Sequence, residues 1–581
     1  MKQSYIFSAL LLAMTVMPAW AQSSASLSNV DSQWGKLLVS SGVKTTTIGG
    51  QLVKGNDGSL YMLAAAGTKT SADVVSMGDT PIANGTQNTS TSYNQNFVLS
   101  KLNASDGTPV WTVASVTGEV ATTQQWAAAT SDGGVITAFS MRHTYGRLTD
   151  SIALVDATGD TTTVDWALET GATERYYRLA VMKVTADGAI SWIRQIAVNH
   201  DPQPGATSDA YKKITPTGAY LYGMTVDSND NIYLSGRVCT ALTLTKADGS
   251  TVDITAHNVE GWSGDPQKSV GSLYIVKLDA QGNYLNSITS GGAATCEAMR
   301  GMKIKNNTLY VYGVIQGLAG TDITLGDKRV TMTGANTSWA TANLSLDLDK
   351  VNFFKVYEST LSGSAINNPN MIVNDNDIYL MGQCKNAVDV EGTTVSTPST
   401  RNAMLLKADA ATGTLEAAIT DATAFSSFFD AFEDQSQNIY LGYYTLNGAL
   451  KLVKYDEATL TKQDEVQLFS NCATGQSLVV DGQNLYAMTR CKGSNLTSKA
   501  PAASVKAPFV VNATEYSCLI SAYTLPFTAS TAVKNVNAEK TATAVIYYNL
   551  QGIASNEPQP GINIKVTTYS DGSREAVKIM K

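Results

Sequence analysis

Histidine is nearly missing: the 581 residues hold three, His143, His200 and His257. Chemistry built on an imidazole base has little material here, and no G-x-S-x-G run accompanies any of them. All three fall in segments read as loops or outer hairpins, where a surface role is expected. Cysteine is sparse too, six residues without a C-x-x-C spacing. That removes zinc-ribbon and thioredoxin-type sites and leaves disulfides. Charged residues make up 15%, with a formal net charge of -8 and a pI near 5.1. Such a balance offers no basic excess to displace counterions from nucleic acid or an anionic membrane. After the first two dozen residues no apolar run approaches the ~20 residues of a spanning helix, so no transmembrane anchor is expected. Asp/Asn clusters at Asp227 to Asn231 and Asn374 to Asp377 lack the spacing of an EF-hand loop and read as hairpin turns. Sialidase-type Asp boxes are absent. No catalytic residue, metal or cofactor is expected.

What is present starts with an export signal. Lys2 supplies a positive start, Tyr5 to Met17 an apolar stretch too short to span a bilayer, and Ala19-Trp20-Ala21 a small-x-small cleavage site. The mature chain is expected to begin near Gln22. Thr, Ser, Asn, Gly and Tyr are abundant through the mature chain, a composition of strands and tight turns.

Internal repetition organises this composition. A polar turn followed by an apolar residue and Tyr or Ile recurs as Asn56-Asp57-Gly58-Ser59-Leu60-Tyr61, Ser131-Asp132-Gly133-Gly134-Val135-Ile136, Asn229-Asp230-Asn231-Ile232-Tyr233 and Asn306-Asn307-Thr308-Leu309-Tyr310. It continues as Asp375-Asn376-Asp377-Ile378-Tyr379, Ser436-Gln437-Asn438-Ile439-Tyr440 and Asp481-Gly482-Gln483-Asn484-Leu485-Tyr486, seven copies in all. Asn, Asp and Gly tolerate the positive φ of tight hairpins, and the flanking residues alternate as strands do. A second, outer hairpin follows in several copies, as at Leu242 to Ile254 and Asp322 to Met332, and is nearly absent in the sixth. A third strand then carries lysine, as at Lys101, Lys183, Lys277, Lys407 and Lys454. A fourth strand follows, with Trp111 or Trp192 in early copies. A four-stranded unit cannot bury both faces alone, but units packed around an axis can, so the expected fold is all-β, a seven-bladed β-propeller. The seventh copy ends at its third strand near Cys518 to Tyr523. Asp31 to Ser40, carrying Trp34, reads as the missing outer strand, so the N-terminus is expected to close the last blade and protect its edge.

The segments Asp230 to Gly236 (DNIYLSG) and Tyr274 to Leu285 (YIVKLDAQGNYL) resemble bacterial propeller repeats of the SBBP type. Leu102 to Trp111 (LNASDGTPVW) resembles the tryptophan-docking repeat of PQQ-dependent dehydrogenases and their non-enzymatic relatives. Both resemblances span most of the chain and imply fold only. From about Ala529 the pattern changes, giving the expected division 1–21 signal peptide, 22–528 propeller, 529–543 linker and 544–581 C-terminal domain, a small β-sandwich-like unit of three short strands. That last segment, with Tyr548-Asn549-Leu550-Gln551-Gly552, Pro560-Gly561-Ile562-Asn563-Ile564 and a terminal lysine, resembles the C-terminal sorting domain of Bacteroidetes proteins that use type IX secretion. The resemblance implies secretion machinery as a partner of residues 544–581, and an outer-membrane surface or extracellular address.

Cys472 and Cys296 each lie fourteen residues before the marker Tyr486 or Tyr310, and Cys491 and Cys239 five or six after Tyr486 or Tyr233. Those positions share a rim of the blade, so Cys472 with Cys491 and Cys239 with Cys296 are candidate disulfides. Cys384 and Cys518 have no evident partner. Long insertions carry the candidate ligand-binding residues Tyr176, Tyr177, His257 and Trp262, because binding groups concentrate on loops held by a rigid scaffold. The expected function is a secreted or surface binding propeller for a protein or glycan, without catalysis. The alternative is a carbohydrate-active or peptide-cleaving enzyme with paired carboxylates at the axis.

Overall fold

A computed structural model describes residues 26–580 except 43–46, 87–93, 143–150, 166–176, 200–218, 239–240, 257–270, 293, 318, 335–336, 359–369, 385–386, 391–392, 397–400, 447, 499–507, 531–541, 550–553 and 570–573. The expected signal peptide and most of the 529–543 linker lie outside the described residues. Among the described residues there is no α-helix, only the single 3-10 turn Leu27–Asn29 amid antiparallel strands.

Each repeat folds as a four-stranded meander. The first sheet is Thr47–Lys54, Leu60–Thr68, Asn94–Leu102 and Pro109–Thr117; the second is Val120–Ala129, Val135–Arg142, Tyr177–Val184 and Ile190–Asn199. The third is Ala219–Val226, Ile232–Val238, Ser272–Leu278 and Tyr284–Gly292; the fourth is Ala294–Lys305, Thr308–Gly317, Thr337–Ser345 and Val351–Tyr357. The fifth is Asn370–Val373, Asp377–Cys384, Asn402–Asp409 and Leu415–Thr420; the sixth is Ser426–Asp434, Ile439–Thr445, Gly448–Tyr455 and Lys462–Cys472. A closing sheet joins Thr474–Asp481, Asn484–Thr497 and Val510–Thr524 to the N-terminal strand Asp31–Ser40, paired from Asp31 opposite Thr524 to Leu38 opposite Cys518.

The turns that start each meander work as their residues demand. Asp227 accepts the backbone N–H groups of Asn229 and Asn231, both at 2.9 Å, with the Asn231 amide and the Tyr233 hydroxyl on its other oxygen. Asp434 repeats this with Ser436, Asn438 and Tyr440. In Asn374 to Asp377 the Asn374 side-chain oxygen accepts Asn376 N–H (2.9 Å) and Asp377 N–H (2.6 Å), so both Asp/Asn clusters are satisfied turns. Second and third strands are buried on both faces, as in Leu60–Thr68, Ile232–Val238 and Ser272–Leu278, because each sheet is stacked between two others.

First strands contact one another in sequence: Thr47–Lys54 with Val120–Ala129, and so on through Ser426–Asp434 and Thr474–Asp481, which returns to Thr47–Lys54. The sheets therefore stand around an axis, and the fold is a β-propeller. Polar latches tie this inner ring: the Gln51 amide oxygen accepts Ala127 N–H (2.8 Å), Ser477 donates to Leu52 O (3.2 Å), and Asp430 accepts Leu478 N–H (2.7 Å).

The outer hairpins cover sheets to which they do not belong. Val74–Met77 and Thr80–Asn84, from the first repeat, extend the closing sheet by pairing with Asp31–Ser40. Ser151–Val155 with Thr161–Asp165 extends the first sheet, Ala241–Thr245 with Thr251–Thr255 the second, and Asp322–Leu325 with Lys328–Thr331 the third. Ala387–Val390 packs against the outer strand of the fourth sheet. Toward the C-terminus Ala529–Ser530 pairs with Glu433 and Asp434 of the sixth sheet. The tail is one sheet of Ala542–Asn549, Ala554–Ser555, Ile562–Tyr569 and Arg574–Met580, so four strands replace the three expected.

Candidate ligand cleft at the seam of the fifth and sixth sheets

One position on each outer strand seals the seam to the next sheet; it lies opposite the third-strand lysine in the first, second, third, fifth and sixth sheets, opposite Asn343 in the fourth and opposite Ala522 in the closing sheet. Trp111, opposite Lys101, donates its indole N–H to Ala186 O (3.0 Å) in the turn of the second sheet. A methyl added to Gly188 (φ +92°) would come within 2.8 Å of that ring, so the turn needs glycine there. Trp34 docks the same way on Ala104 O (3.1 Å) and Gly107 of the first sheet. Trp192 lies on Gly282 and Phe353 on Gly413. Asn286 donates to Asp347 O (2.6 Å), and Asp464 accepts Leu27 N–H (2.7 Å) from the N-terminal segment. The fifth sheet alone offers alanine: Ala417 is opposite Lys407, and the turn of the sixth sheet reaches back with the buried Leu460.

The same seam lacks a paired outer hairpin. The sixth sheet turns from Thr445 to Gly448 without an outer hairpin, and Leu415–Thr420 ends its sheet among the described residues. Where a hairpin lies on the first three sheets, a shallow solvent-open cleft remains, lined by Asp421, Thr423, Tyr443, Lys451, Val453, Tyr455, Lys462 and Glu465. Strand alternation puts Lys451, Val453 and Tyr455 on one face, and their cross-strand partners Tyr443, Glu465 and Lys462 join them there.

Every charged group of the cleft is held. Glu465 bridges Lys451 and Lys462, each at 2.9 Å. Against the burial that would raise it, the two ammonium groups keep this carboxyl below its usual range. Asp421 accepts the Tyr443 hydroxyl (3.1 Å) and Thr423 N–H (2.7 Å). Burial, with Asp421 close by, raises both the Tyr443 and Tyr455 phenols above their ordinary value, so they are neutral donors. Their rings are backed by Phe428, with centroids at 5.7 and 5.9 Å. The partly exposed ammonium and carboxylate groups above these buried rings offer donors and acceptors to a polyhydroxylated or peptidic ligand.

A buried acid, Asp430, and a partly buried one, Glu433, stand on the inner strand behind this seam. Asp430 gathers Leu478 N–H, Ala431 N–H (3.0 Å) and the Asn370 amide (3.0 Å), tying the fifth, sixth and closing sheets; burial raises its pKa. Glu433 is pushed up to about 7 by burial and by Glu457, opposed by Asn374 and Lys305.

Of the residues singled out from sequence, Tyr176, His257, Trp262 and Cys239 lie outside the described residues. Tyr177 was expected in a loop but opens the strand Tyr177–Val184, opposite Arg142, because the hairpin ladder runs on to that pair. Cys296 lies on Ala294–Lys305, opposite Ile315. Cys472 and Cys491 are buried free thiols of one hydrophobic cluster, with no bond between them. The cleft residues were missed. Their signal was the short link of the sixth repeat, an absence that carries no motif.

No protein-family description matches the chain, and no curated protein sequence is similar to it. Solved structures that it resembles include a protein of unknown function from Dyadobacter fermentans, at 10% identity and a TM-score of 0.33, over 70% of this chain and 96% of that one. Quinohemoprotein alcohol dehydrogenase from Comamonas testosteroni aligns at 12% identity and 0.33, over 87% and 78%. The Dos1 propeller aligns at 9% identity and 0.34, over 85% and 95%. The assignment to the β-propellers rests on the strand pairing and inner-ring contacts described above.

Proposed function

We propose that the protein is an exported, seven-bladed binding propeller, closed by its N-terminal strand, that holds a glycan or protein ligand in the cleft between the fifth and sixth sheets. The single observation behind this reading is the seam without a paired hairpin, where the partly exposed Lys451–Glu465–Lys462 cluster lies over the buried, neutral phenols of Tyr443 and Tyr455. Both cleft carboxylates are already engaged, Asp421 by a phenol and Glu465 by two ammonium groups, which suits recognition rather than proton transfer. Residues 1–21 act as the export signal, and 544–581 as a sorting domain read by type IX secretion machinery. Glycan-array binding and pull-down with the mature chain test the reading. Tyr443→Ala and Lys462→Ala should each weaken whatever ligand is found at least tenfold. Blank results in both assays, or a ligand indifferent to both variants, would overturn the assignment of the cleft.

A further inference from the structure

Cys472 ends the outer strand of the sixth sheet, and two residues later Thr474 starts the inner strand of the closing sheet. Thr474 is opposite Arg490, and Ala473 N–H donates to Arg490 O (2.7 Å), which brings Cys472 and Cys491 to neighbouring points of one ladder. Their side chains enter the same hydrophobic cluster, with Leu468, Phe469, Leu485 and Tyr523. Cys518 is on the next strand, but opposite Arg490. Residues directly opposite share a face and successive residues alternate, so Cys518 leaves on the other side of the sheet, among Leu38, Met488 and Ile520. Cys384 is in a different cluster, between the fourth and fifth sheets.

We infer that Cys472 and Cys491 are a disulfide-forming pair whose oxidation staples the sixth sheet to the closing sheet, and that Cys518 stays a thiol. The oxidant is a small or protein disulfide. The Cys491 thiolate attacks one sulfur of it, forming a mixed disulfide and expelling one thiolate. The Cys472 thiolate then attacks Cys491 Sγ and expels the second. The two thiol protons end on the two released thiolates, and the oxidant gains two electrons. Burial pushes the Cys491 thiol up to about 12 and the Cys472 thiol well above its ordinary value, with Cys491 adding to the latter. The exchange therefore belongs to the stage before the closing sheet packs, and the folded protein shields the finished bond from reductants.

The mature chain is unfolded under reduction, refolded with glutathione disulfide, denatured, alkylated with iodoacetamide, then reduced and labelled with N-ethylmaleimide for peptide mass analysis. Cys472 and Cys491 should carry maleimide, and Cys384 and Cys518 acetamide. An unreduced digest should contain the Cys472–Cys491 linked peptide. Cys518→Ser should leave that pattern unchanged, whereas Cys472→Ser should move Cys491 to the acetamide pool. The oxidised protein should melt about 5 °C above the reduced one, because the bond shortens the unfolded chain's excursions. Acetamide on both cysteines, a linkage of either to another cysteine, or equal melting temperatures would each overturn the inference.

Discussion

At the seam between the first and second sheets, Trp111 docks on Ala186 and Gly188, and the hairpin Ser151–Val155 to Thr161–Asp165 covers the outer edge. At the seam between the fifth and sixth, Ala417 occupies the docking position, Leu460 fills in from the other side, and no hairpin pairs with Leu415–Thr420. Both are made by the same meander and the same third-strand lysine. The repeat therefore separates two duties: strands build the stack, while the docking residue and the hairpin seal it. Removing the second pair leaves a standing sheet with an accessible side.

Substitutions can break this contrast. Trp111→Ala should cost about 3–5 kcal/mol in urea unfolding, since a buried indole and its hydrogen bond are lost together. The inverse change, Ala417→Trp, should also destabilise, by about 1–3 kcal/mol, because the buried Leu460 already holds the space. Should Ala417→Trp stabilise instead, the two seams would be interchangeable and the comparison would fail. Glu433 sharpens the contrast through pH. Its carboxyl is raised from 4.5 to about 7 in the folded protein, so folding keeps a proton that the unfolded chain releases. Stability is therefore full below about pH 4.5 and falls as pH rises toward 7. Glu433→Gln should remove that slope and add about 1–3 kcal/mol at pH 8, allowing for the group's partial exposure, in melts taken across the range. Gly188→Ala should show the smallest effect, above about 1 kcal/mol, from its positive φ and the close Trp111 ring. A neutral outcome there would mean that the turn carries no part of the seal.

Much of the blade was readable because its signals are local. The turn residues Asp227, Asn231 and Tyr233 bond to one another within seven positions, and Lys101 and Trp111 are partners across a hairpin. Trp34 was legible as an outer strand for the same reason, since it repeats the pattern around Trp111. The destination of the hairpins was not. Leu242 to Ile254 announces a hairpin, but nothing in it says that Ala241 to Thr243 pair with Ala197 to Asn199 of the preceding repeat. Tyr177 was misplaced by its polar surroundings, and the strand Ala554–Ser555 is too short to carry a period. The cleft was least legible, because Asp421, Tyr443 and Lys462 belong to separate strands and are united by a segment the chain does not have.

The N-terminal strand has a consequence in time. Thr47 Oγ1 accepts Cys518 N–H across 471 residues, next to the ladder of Asp31–Ser40 with Val510–Thr524. A chain delivered from its N-terminus must therefore leave one edge of its first strand open until nearly all of its length has emerged, although Val74–Met77 can take the other edge early. Until then Asp31–Ser40 presents a bare edge on the side that Val510–Thr524 will occupy, the kind that strands of other chains join readily. The proposed export route must therefore hand over both ends on the same side before the ring can lock.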